Sequence, residues 1–300
     1  MSASTGFTRA RWGSTAPPAT PSGSRPARGR SRCRRRWTPR QRPRAPSIGA
    51  PARAVTSPDP RGTSTARGRR SPAPLPPVRL ADLARCRQAA YRFLGEALRP
   101  PEAERLATLR LLAEELWQRP GPLADLAVFP QWLDLLRRLL QSAEGKAGQL
   151  DETYVRLFVA SSGGICPQVA SQYLAPDAPA PVMAALEGEY ARAGLALSAN
   201  ATEPPDHVTV TLDFMAHLCA VEADAWQRRH SAMAVAQLDR EAGFLQRYLG
   251  PWLPAFARLV AARDPDGFYA RVTETAGTLA VHDLDIVTAL AARSREAERR

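Results

Sequence analysis

The composition of this chain breaks at residue 78, and the break separates what can build a core from what cannot. Residues 1–78 hold seventeen Arg, fourteen of the twenty-eight Pro, no Lys and one acidic residue, Asp59. That segment carries +16, so of the chain's +12 the remaining residues carry −4. A stretch that repels itself and has few aliphatic side chains buries too little apolar surface to offset the entropy lost on ordering. Residues 1–78 are therefore expected to be a disordered Arg/Pro/Ser-rich extension, and residues 79–300 to form the folded domain.

Three readings of the extension stay open. Its Arg runs, such as Arg34-Arg35-Arg36, suit sequence-independent phosphate contacts, which makes a nucleic-acid-associated protein the alternative function. No apolar stretch follows its arginine pairs, as an export signal requires, and its prolines oppose an amphipathic transit helix. One Lys, Lys146, against forty Arg fits a GC-rich reading frame, so the segment is read first as an inert tail or a gene-start artefact, with nucleic acid as an unlikely partner.

The Leu- and Ala-rich remainder is long enough for one core, and no apolar run reaches the roughly 20 residues that span a bilayer. A soluble protein is expected. Its periodicity is helical. Leu80, Leu83, Ala84, Tyr91, Leu94 and Leu98 recur at three- and four-residue steps until Pro100-Pro101, and further helices are expected over Glu102–Gln118, Phe129–Leu140 and Leu150–Val159. Proline and glycine make Ser161–Pro181 a loop, a helix follows over residues 182–194, and Leu195–Pro205 is a second loop. Asp206–Arg229 carries an apolar stripe of Val208, Leu212, Met215, Cys219 and Trp226, with Asp206, Asp213 and His217 opposite. Ser231–Leu249, Pro251–Ala262, Pro265–Leu279 and His282–Ala292 complete an all-α single helical bundle.

The parts for catalysis are missing from this pattern. Cys33, Cys86, Cys166 and Cys219 are far apart with no Cys-x-x-Cys, so reduced thiols are expected, with Cys166 exposed in a loop. Asp213 and His217 stand four apart without a further His or Glu partner, which favours a surface ion pair over a metal. His282-Asp283-Leu284-Asp285 lacks the upstream ligands of a metal phosphohydrolase, and there is no Gly-x-Ser-x-Gly and no Walker loop. The chain reads as a non-enzyme with no metal and no cofactor.

Glu203-Pro204-Pro205-Asp206-His207 followed by Asp213-Phe214-Met215 resembles the signature of the TorD/DmsD/NarJ chaperones. Tyr154-Val-Arg-Leu-Phe158 leading through Pro167 to Ser171-Gln-Tyr173, Tyr91-x-x-Leu94, and Phe244-Leu-x-x-Tyr-Leu-x-x-Trp252 are similar to further family blocks. The resemblance spans about residues 80–285. Tyr248 replaces the His of many members, and an extra Pro lies between Glu203 and Asp206, which leaves the subfamily open. The resemblance implies a cytoplasmic TorD-like chaperone, monomer or homodimer, whose partner is the apo-form of a molybdoenzyme subunit with its twin-arginine leader. It implies peptide binding by Asp206, His207, Glu203, Ser171, Tyr173 and Asp213. A cationic leader asks for carboxylates beside apolar surface, which fits. Asp206 and His207 also fit a structural part, answering free amides at a helix start.

Overall fold

The computed structural model describes residues 7–9, 76–118, 137, 147–159, 165–199 and 201–299. The chain divides into two units, Met1–Arg11 with Ala73–Arg300, and Trp12–Pro72; the second lies outside the described residues. So do most of the extension, the expected helix Phe129–Leu140 apart from Arg137, and Gly163-Gly164.

The fold is all-α. In chain order the described elements of the first unit are β1 (Phe7–Arg9), α1 (Pro77–Ala97), α2 (Ala103–Gln118) and α3 (Ala147–Tyr154) with a π turn Val155–Val159. There follow α4 (Ser171–Leu174), α5 (Pro179–Arg192), β2 (Leu195–Leu197) and α6 (Val208–Gln227). The last are α7 (Ser231–Phe244) with a π turn Leu245–Leu249, α8 (Leu253–Arg263) and α9 (Phe268–Glu298). Among the described residues no helix is long and apolar enough to cross a membrane.

Helix α1 opens with Pro77, where the missing N–H costs nothing, and lies along α6 in the most extensive helix pair among the described residues. Gly95 lets the two backbones approach: a Cβ there would meet Asp213 Oδ1 at 3.1 Å. The expected α6 stripe is buried, with Val208, Leu212, Met215 and Cys219 at 0% exposure. The opposite face is largely covered too, since α6 is wrapped by α1 and α7. Phe214, fully buried, wedges between Tyr190 of α5 at 4.7 Å and Phe244 of α7 at 4.9 Å. Both are edge-to-face geometries that add to the gain from area burial. A second aromatic group joins Phe158, Tyr154, Tyr269 and Phe256 beneath the α8–α9 pair.

Several boundaries differ from the sequence reading. A helical turn, Ser171–Leu174, sits inside the expected loop, and α5 begins at Pro179 rather than at 182, since proline is tolerated in a first turn. Leu195–Leu197, read as loop, pairs antiparallel with Phe7–Arg9, read as disordered, with Phe7 opposite Leu197 and Arg9 opposite Leu195. Backbone pairing needs little aliphatic surface, so composition does not announce it. Gly194, at φ +72, makes the turn into β2. The helices expected at Pro265–Leu279 and His282–Ala292 are one, α9, because nothing between them breaks the backbone. Cys166, expected exposed, is fully buried, and its N–H donates to Leu157 O at 2.9 Å. Burial pushes its thiol pKa up, so it is not a reactive thiol.

Four helices meet at a buried guanidinium. Arg87 of α1, at 0% exposure, donates Nε to Asp283 Oδ1 of α9 at 2.5 Å and Nη2 to Asp283 Oδ2 at 3.0 Å. Its Nη1 reaches Glu222 Oε2 of α6 at 2.6 Å, and Nη2 also reaches Glu241 Oε2 of α7 at 2.5 Å. Tyr91 donates its hydroxyl to Asp283 Oδ2 at 2.7 Å, and Trp226 Nε1 donates to Glu222 Oε1 at 2.9 Å. Three carboxylates share one cation, and Glu241 Oε1 is buried without a partner. Burial drives the Glu241 pKa well above the ordinary carboxylate range, against the pull of Arg87 and with the neighbouring Glu222 adding to the rise. Glu222 moves the same way for the same first cause. The Asp283 of the His282-Asp283-Leu284-Asp285 segment is thus engaged by Arg87 and Tyr91. No group of three or more His, Cys, Asp or Glu suited to a metal exists among the described residues.

Candidate functional site

The candidate residues gather where the segment before α4 meets the segment before α6. The two run antiparallel for a short length, with Val169 bridged to His207. Ala170 N–H donates to Asp206 O at 2.9 Å and Val208 N–H to Gln168 O at 2.8 Å. Side chains tie this strip down from three sides. Gln168 Nε2 donates to Leu98 O at the end of α1 at 3.1 Å, Tyr190 donates to Pro205 O at 2.6 Å, and Tyr173 donates to Pro167 O at 2.9 Å. Pro204 and Pro205 have no N–H to lose here, and the chain enters α6 through a turn in which His207 N–H donates to Pro204 O at 3.0 Å.

Within the strip, Asp206 is 1% exposed and its Oδ2 accepts the Ser171 N–H at 3.0 Å. It answers a free amide of α4 from across the strip, as an N-cap does from within one helix. Ser171 is buried at 3%. His207 is the N-cap of α6, its Nδ1 accepting the Thr209 N–H at 3.3 Å. Because Nδ1 accepts, the ring proton belongs on Nε2, which lies 3.3 Å from Glu203 Oε2. Burial pulls the His207 pKa below its ordinary 6.5, against the opposing pull of Glu203 and Asp206. The imidazole is therefore neutral at pH 7 and presents Nε2–H to Glu203. The Glu203 side chain itself is 47% exposed.

Asp206, His207, Ser171 and Glu203 are thus brought together, with only Glu203 open to solvent. Tyr173 stands at the other end of α4, half-buried, its ring 5.4 Å from that of Trp252 and 6.1 Å from that of Phe256. Asp213 is two turns along α6, and its Oδ2 accepts from Arg99 Nη2 at 2.6 Å. Burial raises its pKa and Arg99 opposes the rise. It serves the α1–α6 contact rather than standing at the surface as spacing suggested, and the His217 ring stacks near Phe214. Sequence reasoning missed Gln168 and Arg99. The contacts that bring them here, Gln168 to Leu98 and Arg99 to Asp213, join residues far apart in sequence.

Asp206→Ala would leave the Ser171 N–H buried without an acceptor, an expected loss of about 1–3 kcal/mol. Urea unfolding of the full chain measures it, and Asp206→Asn, which keeps an oxygen for the bond, is expected to lose less.

Residues 124–258, which contain the whole strip, match the family described as nitrate reductase delta subunit. The chaperone protein TorD of Vibrio cholerae serotype O1 (strain El Tor Inaba N16961) is 33% identical over 141 residues, covering 46% of this chain and 61% of that protein. Over this segment the chain is similar to the TorD/NarJ family. The TorD of Photobacterium profundum is 35% identical over 125 residues, covering 41% of this chain and 49% of its own length. The chain spans less than two thirds of these TorD relatives. A solved structure from Archaeoglobus fulgidus assigned to redox enzyme maturation aligns at a TM-score of 0.42 and 17% identity, over 64% of this chain and 91% of that one. Within the matched segment, Glu203–His207 is the point at which α4, α5 and α6 are fastened together.

Proposed function

We propose that this chain is a cytoplasmic maturation chaperone for a molybdopterin-containing oxidoreductase and that it binds the enzyme's twin-arginine leader or N-terminal segment. Similarity to the TorD/NarJ family supports the reading, because the matched residues 124–258 include the Glu203–His207 strip. The local chemistry supports a cationic ligand. Glu203 offers a half-exposed carboxylate whose Oε2 is oriented by His207, and a guanidinium fork finds its strongest partner in such a carboxylate. The half-buried ring of Tyr173 over Trp252 and Phe256 supplies apolar surface on the far side of α4.

In this reading the six residues divide the work. Glu203 meets the leader's positive charge, and His207 holds Glu203 in place. Asp206 and Ser171 keep the strip rigid, so that little order is lost on binding. Tyr173 meets the apolar stretch, and Asp213, engaged with Arg99, positions α6.

The separation is testable in the full chain. Glu203→Gln removes the exposed charge and is expected to weaken leader binding about tenfold, since a charge-assisted hydrogen bond contributes on the order of 1.5–3 kcal/mol. The unfolding midpoint should not move. A midpoint shift as large as that of Asp206→Ala, or an unchanged affinity, would place the leader elsewhere.

A further inference from the structure

Away from this strip, three guanidiniums converge on one residue, two on its carboxylate and one on its backbone carbonyl. Glu189, near the end of α5, is 5% exposed. Its Oε1 accepts from Arg192 Nη2 at 2.8 Å and from Arg247 Nη2 at 3.0 Å. Its backbone carbonyl accepts from Arg240 Nη2 at 3.1 Å. Arg240 comes from α7 and Arg247 from the π turn that extends it, so the group joins two parts of the fold. Three cations and one anion leave it at +2.

Ordinary exposed ion pairs cancel charge and leave both side chains loose, and for that reason contribute little. Neither holds here. Arg192 and Arg247 keep 63% and 58% of their side-chain surface open, yet both end on the one buried oxygen Glu189 Oε1. Besides sharing one oxygen, Arg247 lies against Gly243, where a Cβ would come within 3.2 Å of its Nη2, and its Cζ sits 5.6 Å from the centroid of the Tyr248 ring. Arg192 Nη1 lies 3.7 Å from where a Gly188 Cβ would be. Burial lowers the pKa of Arg240, Glu189 pulls it back and the nearby Arg192 adds a smaller lowering.

We propose that Arg192, Arg240 and Arg247, gathered by Glu189, form a binding site for a doubly charged phosphate group. Two oriented guanidinium forks match the oxygens of a phosphate in geometry, and the order they need is already fixed by Glu189, Gly243 and Tyr248. A phosphate monoester carries about −1.5 to −2 at pH 7, which neutralises the group, whereas a single carboxylate leaves it positive. The site is independent of the chaperone reading, on which nothing in it rests.

The test is thermal unfolding of the full chain, followed by helical circular dichroism, in about 10 mM inorganic phosphate or about 10 mM glycerol 2-phosphate against chloride of equal ionic strength. The Arg-rich extension also attracts phosphate, so the deciding quantity is the difference between the natural chain and the Arg192→Gln/Arg247→Gln variant, which share that extension. Phosphate is expected to raise the midpoint of the natural chain and not of the variant, with apparent affinity reduced at least about tenfold. Equal protection by the two compounds assigns a free phosphate ion; stronger protection by the ester assigns a phosphate carried on a larger molecule. Equal shifts in natural chain and variant, or none in either, overturn the site. Should the double variant lose its helical signal, Arg192→Gln and Arg247→Gln singly, each at a largely exposed side chain, give the same comparison.

Discussion

Replacing Arg87 by Met is expected to lower the unfolding midpoint of the helical domain by about 10 °C at pH 7. Removing one partner of a buried ion pair costs roughly 3–5 kcal/mol because the other charge is left uncompensated, and for a domain of this size each kcal/mol moves the midpoint by about 2–4 °C. Here three carboxylates, Glu222, Glu241 and Asp283, lose their shared cation. The effect should depend on pH with a definite sign. Burial already raises the folded-state pKa of Glu241 and of Glu222 above the ordinary 4.5, so what they contribute to stability is fully present below that value and is lost as pH rises through the folded-state values. Loss of Arg87 raises those values further. The deficit of Arg87→Met should therefore widen toward pH 8 and narrow toward pH 5, which a series of thermal melts measures. A deficit independent of pH would mean that the guanidinium acts by packing alone.

Trp252→Ala is the second large effect, about 3–5 kcal/mol for deletion of a fully buried aromatic side chain. Trp252 is at 0% exposure, donates Nε1 to Tyr248 O at 2.6 Å, and its ring lies 5.7 Å from that of Phe256 and 5.4 Å from that of Tyr173. Its loss removes the platform under Tyr173 as well as core volume. Denaturant unfolding should show the stability loss, and the same variant, assayed below its midpoint, should bind the leader's apolar stretch more weakly. Trp252→Phe keeps a ring and is expected to recover most of the stability. Full stability together with undiminished binding in Trp252→Ala would remove Tyr173 from the site.

The buried charge cluster leaves a trace in the sequence that only the fold makes intelligible. Arg87 falls on the apolar stripe of α1 between Leu83 and Tyr91, Glu222 between Cys219 and Trp226, Glu241 between Leu238 and Leu245, and Asp283 between Leu279 and Val287. Four helices each carry one charged residue at a core position, and the four charged residues are partners of one another. Periodicity exposes each misfit singly. Pairing them requires knowing which helices touch. The stretch read as two helices is the single α9, and no breaker separates Leu279 from His282.

The long apolar stripes of α1 and α6 are legible because burial selects side chains at fixed angular steps along a helix. The Glu203–His207 block is visible as a pattern, and the capping part open to Asp206 and His207 is the one they take in the fold. What spacing cannot reveal is exposure. Asp206, Glu203 and Asp213 are carboxylates of one segment, yet one ties an amide, one faces solvent and one pairs with Arg99, according to contacts supplied by α4 and α1. Cys166 is the same lesson in a loop, where flanking Gly and Pro suggest an exposed thiol and the Leu157 carbonyl draws the backbone inward.

Calorimetric titration of the full chain with twin-arginine leader peptides of molybdoenzymes, each beside a twin-lysine control, tests the chaperone reading most directly. Micromolar or tighter binding to one leader is predicted, on the order of −8 kcal/mol, with the lysine control weaker because an ammonium cannot offer the two-pronged contact of a guanidinium. Equal affinity for both peptides, or none for any leader by a folded chain, would contradict it.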